Sequence, residues 1–399
     1  MSTTNSVARP RFAARSPLRT ALDRRVKAYF AESGLSPHGG RRFAVKAGLM
    51  LAWAATSYLL LLFWASSPAS AIPLAVSLGL AVAGIGFSVM HDGNHRAAAG
   101  RPWLNRLAGG TLDAIGGSSY VWRHKHNVLH HTYTNIEGVD DDLDAGPFLR
   151  LAPTQRRRSF HRLQHLYELP LLGFLAAKWV LLDDWLALAR GKVGGSSFPR
   201  PRGSDLAQLL GGKLFFYAWA LGLPLVLHPP LPVLLVFALS SAVLGMTLGI
   251  VFQLAHVVEG AQSLAAPTHS PEARLQPWVE HQLATTADFA PRSRLLSWYV
   301  GGLNFQIEHH LFPRISHVHY PALAEIVCEV CEDFGVRVLR FATLREALGA
   351  HFRLLAALGR SSTPAGAENA CGAGVGAAAD ERALPPPVRE APGVLPATP

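Results

Sequence analysis

The chain has 399 residues, 49% hydrophobic and only 16% charged, with a formal net charge of +10. Ordinary soluble domains carry roughly 25% charged residues, whereas here neither Ala47–Met90 nor Leu214–Val258 contains an Asp, Glu, Lys or Arg. Such blocks exclude a set of ordinary soluble domains, and a charge surplus crowded ahead of the first block, without interleaved aromatics, excludes a nucleic-acid binder.

Residues 1–42 read as a basic, partly disordered segment, with Met1 to about Pro17 expected to be unstructured. Its Arg- and Ser-rich, acid-poor composition is shared by organelle transit peptides and by the basic flank that holds a membrane protein's N-terminus in the cytoplasm. We read it as the flank, because Arg9, Arg11, Arg15, Arg19, Arg24, Arg25, Lys27, Arg41, Arg42 and Lys46 all precede the first apolar block. The apolar run starts too late and is too long for a secretory signal.

A crossing takes about 20 apolar residues, so each charge-free block predicts two crossings. The first pair covers 43–65 and 71–90, around the uncharged turn Ser66–Ser70. The second covers 214–228 and 231–258, around His228–Pro232. Uncharged loops outside and arginines inside return the chain to the cytoplasmic side at His91 and again after Glu259.

Between the pairs, 165–190 is Leu-rich but carries Glu168, Lys178, Asp183 and Asp184. A charge at a helix centre costs about 2.5–3.5 kcal/mol against roughly −0.5 gained per Leu. The segment is therefore expected to lie in the interface, polar side to water. Glu325–Gly359 reads as cytoplasmic helix and connector packing beneath the site, with Phe334, Leu339, Leu344 and Leu348 at helical spacing. The Ala-, Gly- and Pro-rich 361–399 predicts disorder. Cys328 and Cys331 have C-x-x-C spacing, but no second pair completes a zinc site. The expected fold is all-α and integral to the membrane, with four transmembrane helices in two hairpins and a cytoplasmic helical cap carrying a di-metal site. Both termini are expected to be cytoplasmic, and the bacterial inner membrane is the expected location.

Three His-bearing stretches fall on that one face. HDGNH, His91–His95, places two imidazoles four residues apart after the second crossing. HKHNVLHH holds His124, His126, His130 and His131. On an α-helix His126 and His130 share a face and His131 points about a quarter-turn away, so neighbouring rings could serve two metal ions. In QIEHH, Gln306 stands three and four residues before His309 and His310. His256 contributes from the inner end of the last crossing. Any one pair would ordinarily be a surface or hydrogen-bonded pair, but three such boxes on one face are hard to assign to chance.

Imidazole suits iron, zinc and copper. The chain has no Glu-x-x-His of the soluble di-iron bundles, no His-Glu-x-x-His, and no pair of membrane-embedded histidines for a bis-His haem. Two metals held beside apolar helices point to O2 activation against a lipid chain. A non-redox, His-rich metal transporter is the rival from another class.

These residues resemble the membrane fatty acid desaturases, whose signature is three histidine boxes on a four-helix scaffold. HDGNH is similar to the first box, HNVLHH to the second and QIEHH to the third. The likeness continues through GVDDD, FQLAHVVE and WVEHQLATTADFA, over roughly Phe87–Gly359. Glutamine at Gln306 resembles the subgroup of front-end and bacterial linoleoyl-CoA desaturase-like proteins. The resemblance implies that 43–360 is one membrane desaturase domain. It implies a di-iron centre held by His91, His95, His126, His130, His131, Gln306, His309 and His310, with His256 as a further ligand and no catalytic residue separate from the ligands. His124, His317 and His319 stay outside that set.

The implied reaction uses O2 and two electrons to remove two hydrogens from a fatty acyl chain linked to CoA, acyl-carrier protein or a lipid, giving a cis double bond and water. The alternative within enzymes is a related His-box hydroxylase or ketolase acting on an alkane, a carotenoid or a lipid. Asp92, Asn94, Asn127 and Glu308 stand beside ligands and are candidates to bond the far imidazole nitrogens, with plain solvation the equal alternative. Asp140–Asp142 reads as a solvated acidic turn, with ordering of the loop below the second box, or contact with an electron donor, as the alternatives. Many front-end desaturases carry a fused cytochrome b5 domain with a His-Pro-Gly-Gly motif. SPHGG, Ser36–Gly40, is only loosely similar, and too few residues precede the first crossing. No fused cytochrome b5 domain is therefore expected, and electrons would come from a separate ferredoxin or cytochrome b5-type protein.

Overall fold

The computed structural model describes residues 10–193, 195–265 and 274–361. The disorder expected for 362–399, and for residues before Pro10, lies outside these limits. Within them the start of the chain is ordered earlier than expected. Arg11–Phe12 pairs in parallel with Arg274–Leu275, and Ser16 caps helix α1 (Pro17–Ser33), its Oγ accepting from Arg19 N. The buried face of α1, with Leu18, Leu22 and Val26, packs into the cap.

Next come α2 (Gly40–Phe63) and α3 (Pro68–Asn94), both long and apolar enough to cross a membrane. In the turn between them, Ser67 N donates to Ser70 Oγ (3.2 Å), and Pro68 opens α3. The helices α4 (Pro102–Ala114), α5 (119–133) and α6 (Gln164–Leu172) lead to two further helices of crossing length, α7 (Gly203–Leu227) and α8 (Pro230–His256). The cap is completed by α9 (Trp278–Thr285), α10 (Gln306–Leu311), α11 (Tyr320–Asp333) and α12 (Leu344–Arg360).

The charge-free blocks mark the centres of the crossings and not their ends. Helix α7 begins at Gly203 rather than Leu214 and carries Lys213 inside it. The ammonium donates to Gly116 O (2.6 Å), Asp184 Oδ2 (2.7 Å) and Val180 O (3.0 Å). Three acceptors saturate it, so it avoids the penalty of a lone buried cation.

The same bookkeeping corrects the segment over 165–190. It is a run of short helices (Gln164–Leu172, Leu175–Lys178, Trp179–Asp183 and Asp184–Arg190) with its apolar side outward at Leu166, Phe174 and Leu182. Two of its charges point inward to partners. Asp184 meets Lys213, and Glu168 Oε2 lies 2.7 Å from His351 Nε2 on α12. Lys178 and Asp183 pair at the surface. In α12, Ala347, Ala350, His351 and Leu355 form the buried face; Leu339 is buried as expected, whereas Phe334 and Leu344 are exposed.

Helix α3 packs against α2 and α8. A Cβ on Gly79 would lie 2.6 Å from Ser240 O and 2.9 Å from Val243 Cβ of α8, so this contact admits glycine alone without displacement. Ser240 Oγ donates to Ala75 O (3.0 Å) beside it. The two helices run in the same direction, and each delivers a histidine to the same end: His91 from α3 and His256 from α8.

Candidate metal centre

Local helix geometry decides where the imidazoles point. Helix α3 widens into a π-helical turn over Ile85–Met90 just before His91, and α5 is π-helical over Arg123–His130, with His131 N donating to His126 O. The i→i+5 bonding of a π-turn rotates the residues that follow relative to an α-helix. His126 and His130 keep stacked rings, with centroids 5.2 Å apart, but fall into different groups, which a regular α-helix did not predict.

In one group His91, His95, His126 and His309 bring a ring nitrogen each within 4.8 Å of one another; in the other, His130, His256 and His310 do the same. A third grouping sets His126 and His130 with Asp142. His131 stands between the two main groups. Its Nε2 is 3.1 Å from His126 Nε2, and its ring centroid lies 4.5 Å from that of His309 and 4.4 Å from that of His310. Gln306 Nε2 lies 3.0 Å from His256 Nε2 and 3.3 Å from His310 Nε2. The side chains singled out from the sequence thus converge, and all are buried. His124 rests instead against Phe198, its ring centroid 5.5 Å away.

The chemistry of this pocket fits metal ions. Nε2 of His91, His95, His130 and His309, and Nδ1 of His131, have no hydrogen-bond partner among the described residues. Each unpaired buried polar atom costs about 1–3 kcal/mol, so five in one pocket are a stability cost that shared coordination would relieve. Burial holds His95, His126, His131, His309 and His310 well below the usual imidazole range, which keeps them neutral, the form that binds metals. His130 departs from this. Burial lowers it, but the charge and hydrogen bond of Asp140 outweigh burial and leave it raised.

The outer nitrogens are fixed by partners that the sequence reading assigned no such role. Asp140 Oδ2 lies 3.0 Å from His130 Nδ1, Tyr320 Oη 3.1 Å from His309 Nδ1, and Thr285 O 3.3 Å from His256 Nδ1. Gln282 Oε1 (2.8 Å) and Thr134 Oγ1 (3.2 Å) share His310 Nδ1. Such contacts orient the rings. Asp140 is buried, which corrects the solvated acidic turn, while Asp141 and Asp142 pair with Lys125 at 3.1 and 2.9 Å. One available signal was the spacing of Thr134, four residues after His130.

Three of the four residues proposed for that outer role, Asp92, Asn94 and Asn127, are bonded elsewhere. Asp92 Oδ2 accepts from Ser316 Oγ (2.7 Å) and pairs with His317 Nδ1 (2.9 Å), whose Nε2 reaches Lys46 Nζ (3.0 Å). Asn94 Nδ2 donates to Met90 O and Gly109 O, tying α3 to α4, and Asn127 Nδ2 donates to Asn94 O. Glu308 is buried beside Asp288, where burial and the Asp288 charge push its carboxyl well above the usual range.

The family model for fatty acid desaturases matches residues 66–342, a stretch that takes in all three boxes. The chain belongs to the fatty acid desaturase family.

This desaturase is similar to an sn-1 linoleoyl-lipid 6-desaturase of Synechocystis sp., with 37% identity over 89% of this chain and 99% of the relative. It shares 37% identity with the protein of the same name from Arthrospira platensis, over 84% of this chain and 91% of the relative. An acyl-lipid (8-3)-desaturase of Physcomitrium patens is 36% identical over 85% of this chain and 71% of the relative. The chain is a fatty acyl desaturase, and its four apolar helices and buried histidine cluster are the membrane scaffold and candidate metal site of that enzyme.

Proposed function

We propose that this desaturase introduces a cis double bond at position 6 of a lipid-linked linoleoyl chain, using O2, two electrons and two iron ions. The observation that carries the reading is the pocket of buried imidazoles, five of them with a ring nitrogen left without a hydrogen-bond partner among the described residues, in a chain that aligns with nearly the full length of two linoleoyl-lipid 6-desaturases. Those names favour a lipid-linked chain over a CoA- or acyl-carrier-protein-linked one.

His91, His95, His126 and His309 would hold one ion and His130, His256, His310 and Gln306 the other, with His131 between them. The iron pair would supply the O2 activation that removes two hydrogens from adjacent carbons. The protein's part is to hold neutral nitrogen donors rigidly and to exclude water. Asp140, Tyr320, Gln282, Thr134 and the Thr285 carbonyl fix ring orientation. The arginine-rich segment before α2 supports a reading with both termini in the cytoplasm, in keeping with a bacterial inner membrane, and a separate ferredoxin or cytochrome b5-type protein supplies the electrons.

The test is to feed linoleate to a host expressing the gene and to analyse the methyl esters and the lipid class that carries them. The expected product is an 18-carbon triene with its new double bond at position 6, lost in His130→Ala and His310→Ala. Hydroxylated product alone would move the enzyme to the hydroxylase reading, and full activity without iron would sink the site.

A further inference from the structure

One surface of the cap links solvent to the candidate metal site through a single side chain. Trp278, at the start of α9, is half-buried, and its indole Nε1 donates to the carbonyl of His131 (3.2 Å). The Arg19 guanidinium lies 5.4 Å from the centre of the Trp278 ring and 5.7 Å from that of Phe312, and its Nη1 donates to Leu311 O (3.3 Å), next to His310. The patch therefore touches the second histidine box and the residue that follows the third.

Its rim is cationic. Arg11 and Arg274 are exposed and lie side by side through the strand pairing that brings the chain to Trp278, and Arg15 and Arg314 are exposed nearby in the chain. The carboxylate of Asp23 pairs with two of these five guanidiniums, Arg15 and Arg19, and Glu280 stands two residues after Trp278. The hydrophobic cluster beneath joins α1, α9, α10 and α11, and none of its core residues comes from α2, α3, α7 or α8. The face is thus built on the cap and not on the crossings.

We propose that this arginine-rimmed face around Trp278 is where an acidic one-electron carrier protein docks, and that Trp278 couples it to His131. This rests on the desaturase reaction above. Each O2 takes two electrons from the C–H bonds of the acyl chain and two from two successive reduced carriers; with two protons it leaves as two waters, and both carriers are released oxidised. Clustered cations speed the encounter with an acidic partner and make it salt-dependent. A bound-lipid role would favour cations set beside the crossing helices, which this cluster lacks.

The test uses the full chain in nanodiscs of neutral phosphatidylcholine and an acidic plant-type [2Fe–2S] ferredoxin as probe. Binding is measured directly against ionic strength, with and without iron. The double reversal Arg11→Glu, Arg274→Glu should weaken ferredoxin binding by about tenfold or more at low salt and flatten its salt dependence. The matched reversal Arg156→Glu, Arg345→Glu, at exposed arginines outside the patch, should leave binding unchanged. Trp278→Phe should lower the ratio of ferredoxin-driven to viologen-driven turnover. Equal loss from both double reversals would overturn the proposal, as would loss of binding to anionic vesicles with ferredoxin binding intact. Product formed with reduced methyl viologen separates the two readings. If wild type yields none, the desaturase chemistry fails; if it yields product while ferredoxin binding ignores Arg11 and Arg274, only the docking face fails.

Discussion

His130 Nδ1 and Asp140 Oδ2 lie 3.0 Å apart with both side chains 1% exposed, and the same carboxylate oxygen accepts the backbone N–H of Asn135 at 2.9 Å. The acid therefore does two things at once: it orients an imidazole and it closes the turn that follows α5. Asp140→Asn keeps the shape but removes the charge. Iron affinity or activity should fall by about 10–100-fold, with the helical circular dichroism unchanged. Iron per chain, read against product yield, checks it.

A second prediction concerns Glu168 and His351. Both are wholly buried, and the other ring nitrogen of His351 reaches Val257 O at 2.6 Å, one residue beyond His256. Glu168→Ala leaves the imidazole without its partner and should cost about 1–3 kcal/mol. Thermal unfolding in detergent would show a clear drop in Tm, with a smaller one for Glu168→Gln. An unchanged Tm would mean that the pair adds nothing to the joint between α6, α8 and α12.

Stripping the metal with a chelator should lower Tm as well as abolish activity, because the partnerless nitrogens of His91, His95, His130, His131 and His309 return to an uncompensated state. Ferrous iron should restore both. A Tm indifferent to chelation would show that these atoms hold no ion.

Acid should destabilise the metal-free protein early. Burial pulls His281 down to about 4, so it is neutral in the folded chain at a pH where the unfolded chain is protonated. That stabilisation, about 3 kcal/mol for this residue, is present above about pH 6.5 and is lost as pH falls toward 4. His95, His126, His131, His309 and His310 shift in the same direction, and His130 in the opposite one. A Tm against pH series should fall steeply below 6.5, and His281→Gln should soften the slope.

The crossings and the three boxes were legible because each is written in adjacent residues: an absence of charge over forty-odd positions, or imidazoles at fixed spacing. What escaped depends on contacts distant in the chain. Lys213 stopped the predicted third crossing short because its partners, Asp184 and the Gly116 and Val180 carbonyls, lie 29, 97 and 33 residues away. Glu168 and Asp184 looked too expensive to bury for the same reason. Asp140 looked solvated among its acidic neighbours, yet Lys125 takes Asp141 and Asp142 and leaves Asp140 to His130. The π-turns of α3 and α5 left no recognised mark in the sequence, and they decide which histidine joins which group.

The glycine contact between α3 and α8 gives the site a mechanical character. Gly79 presses on Ser240 twelve residues before His91, about 18 Å along the helix. Below that fulcrum the two helices act as the arms of tongs whose jaws carry His91 and His256. One degree of splay at the contact opens the jaws by about 0.3 Å, a large step for metal ligands. Any change in the angle between these two helices would therefore also change the gap between the two jaws.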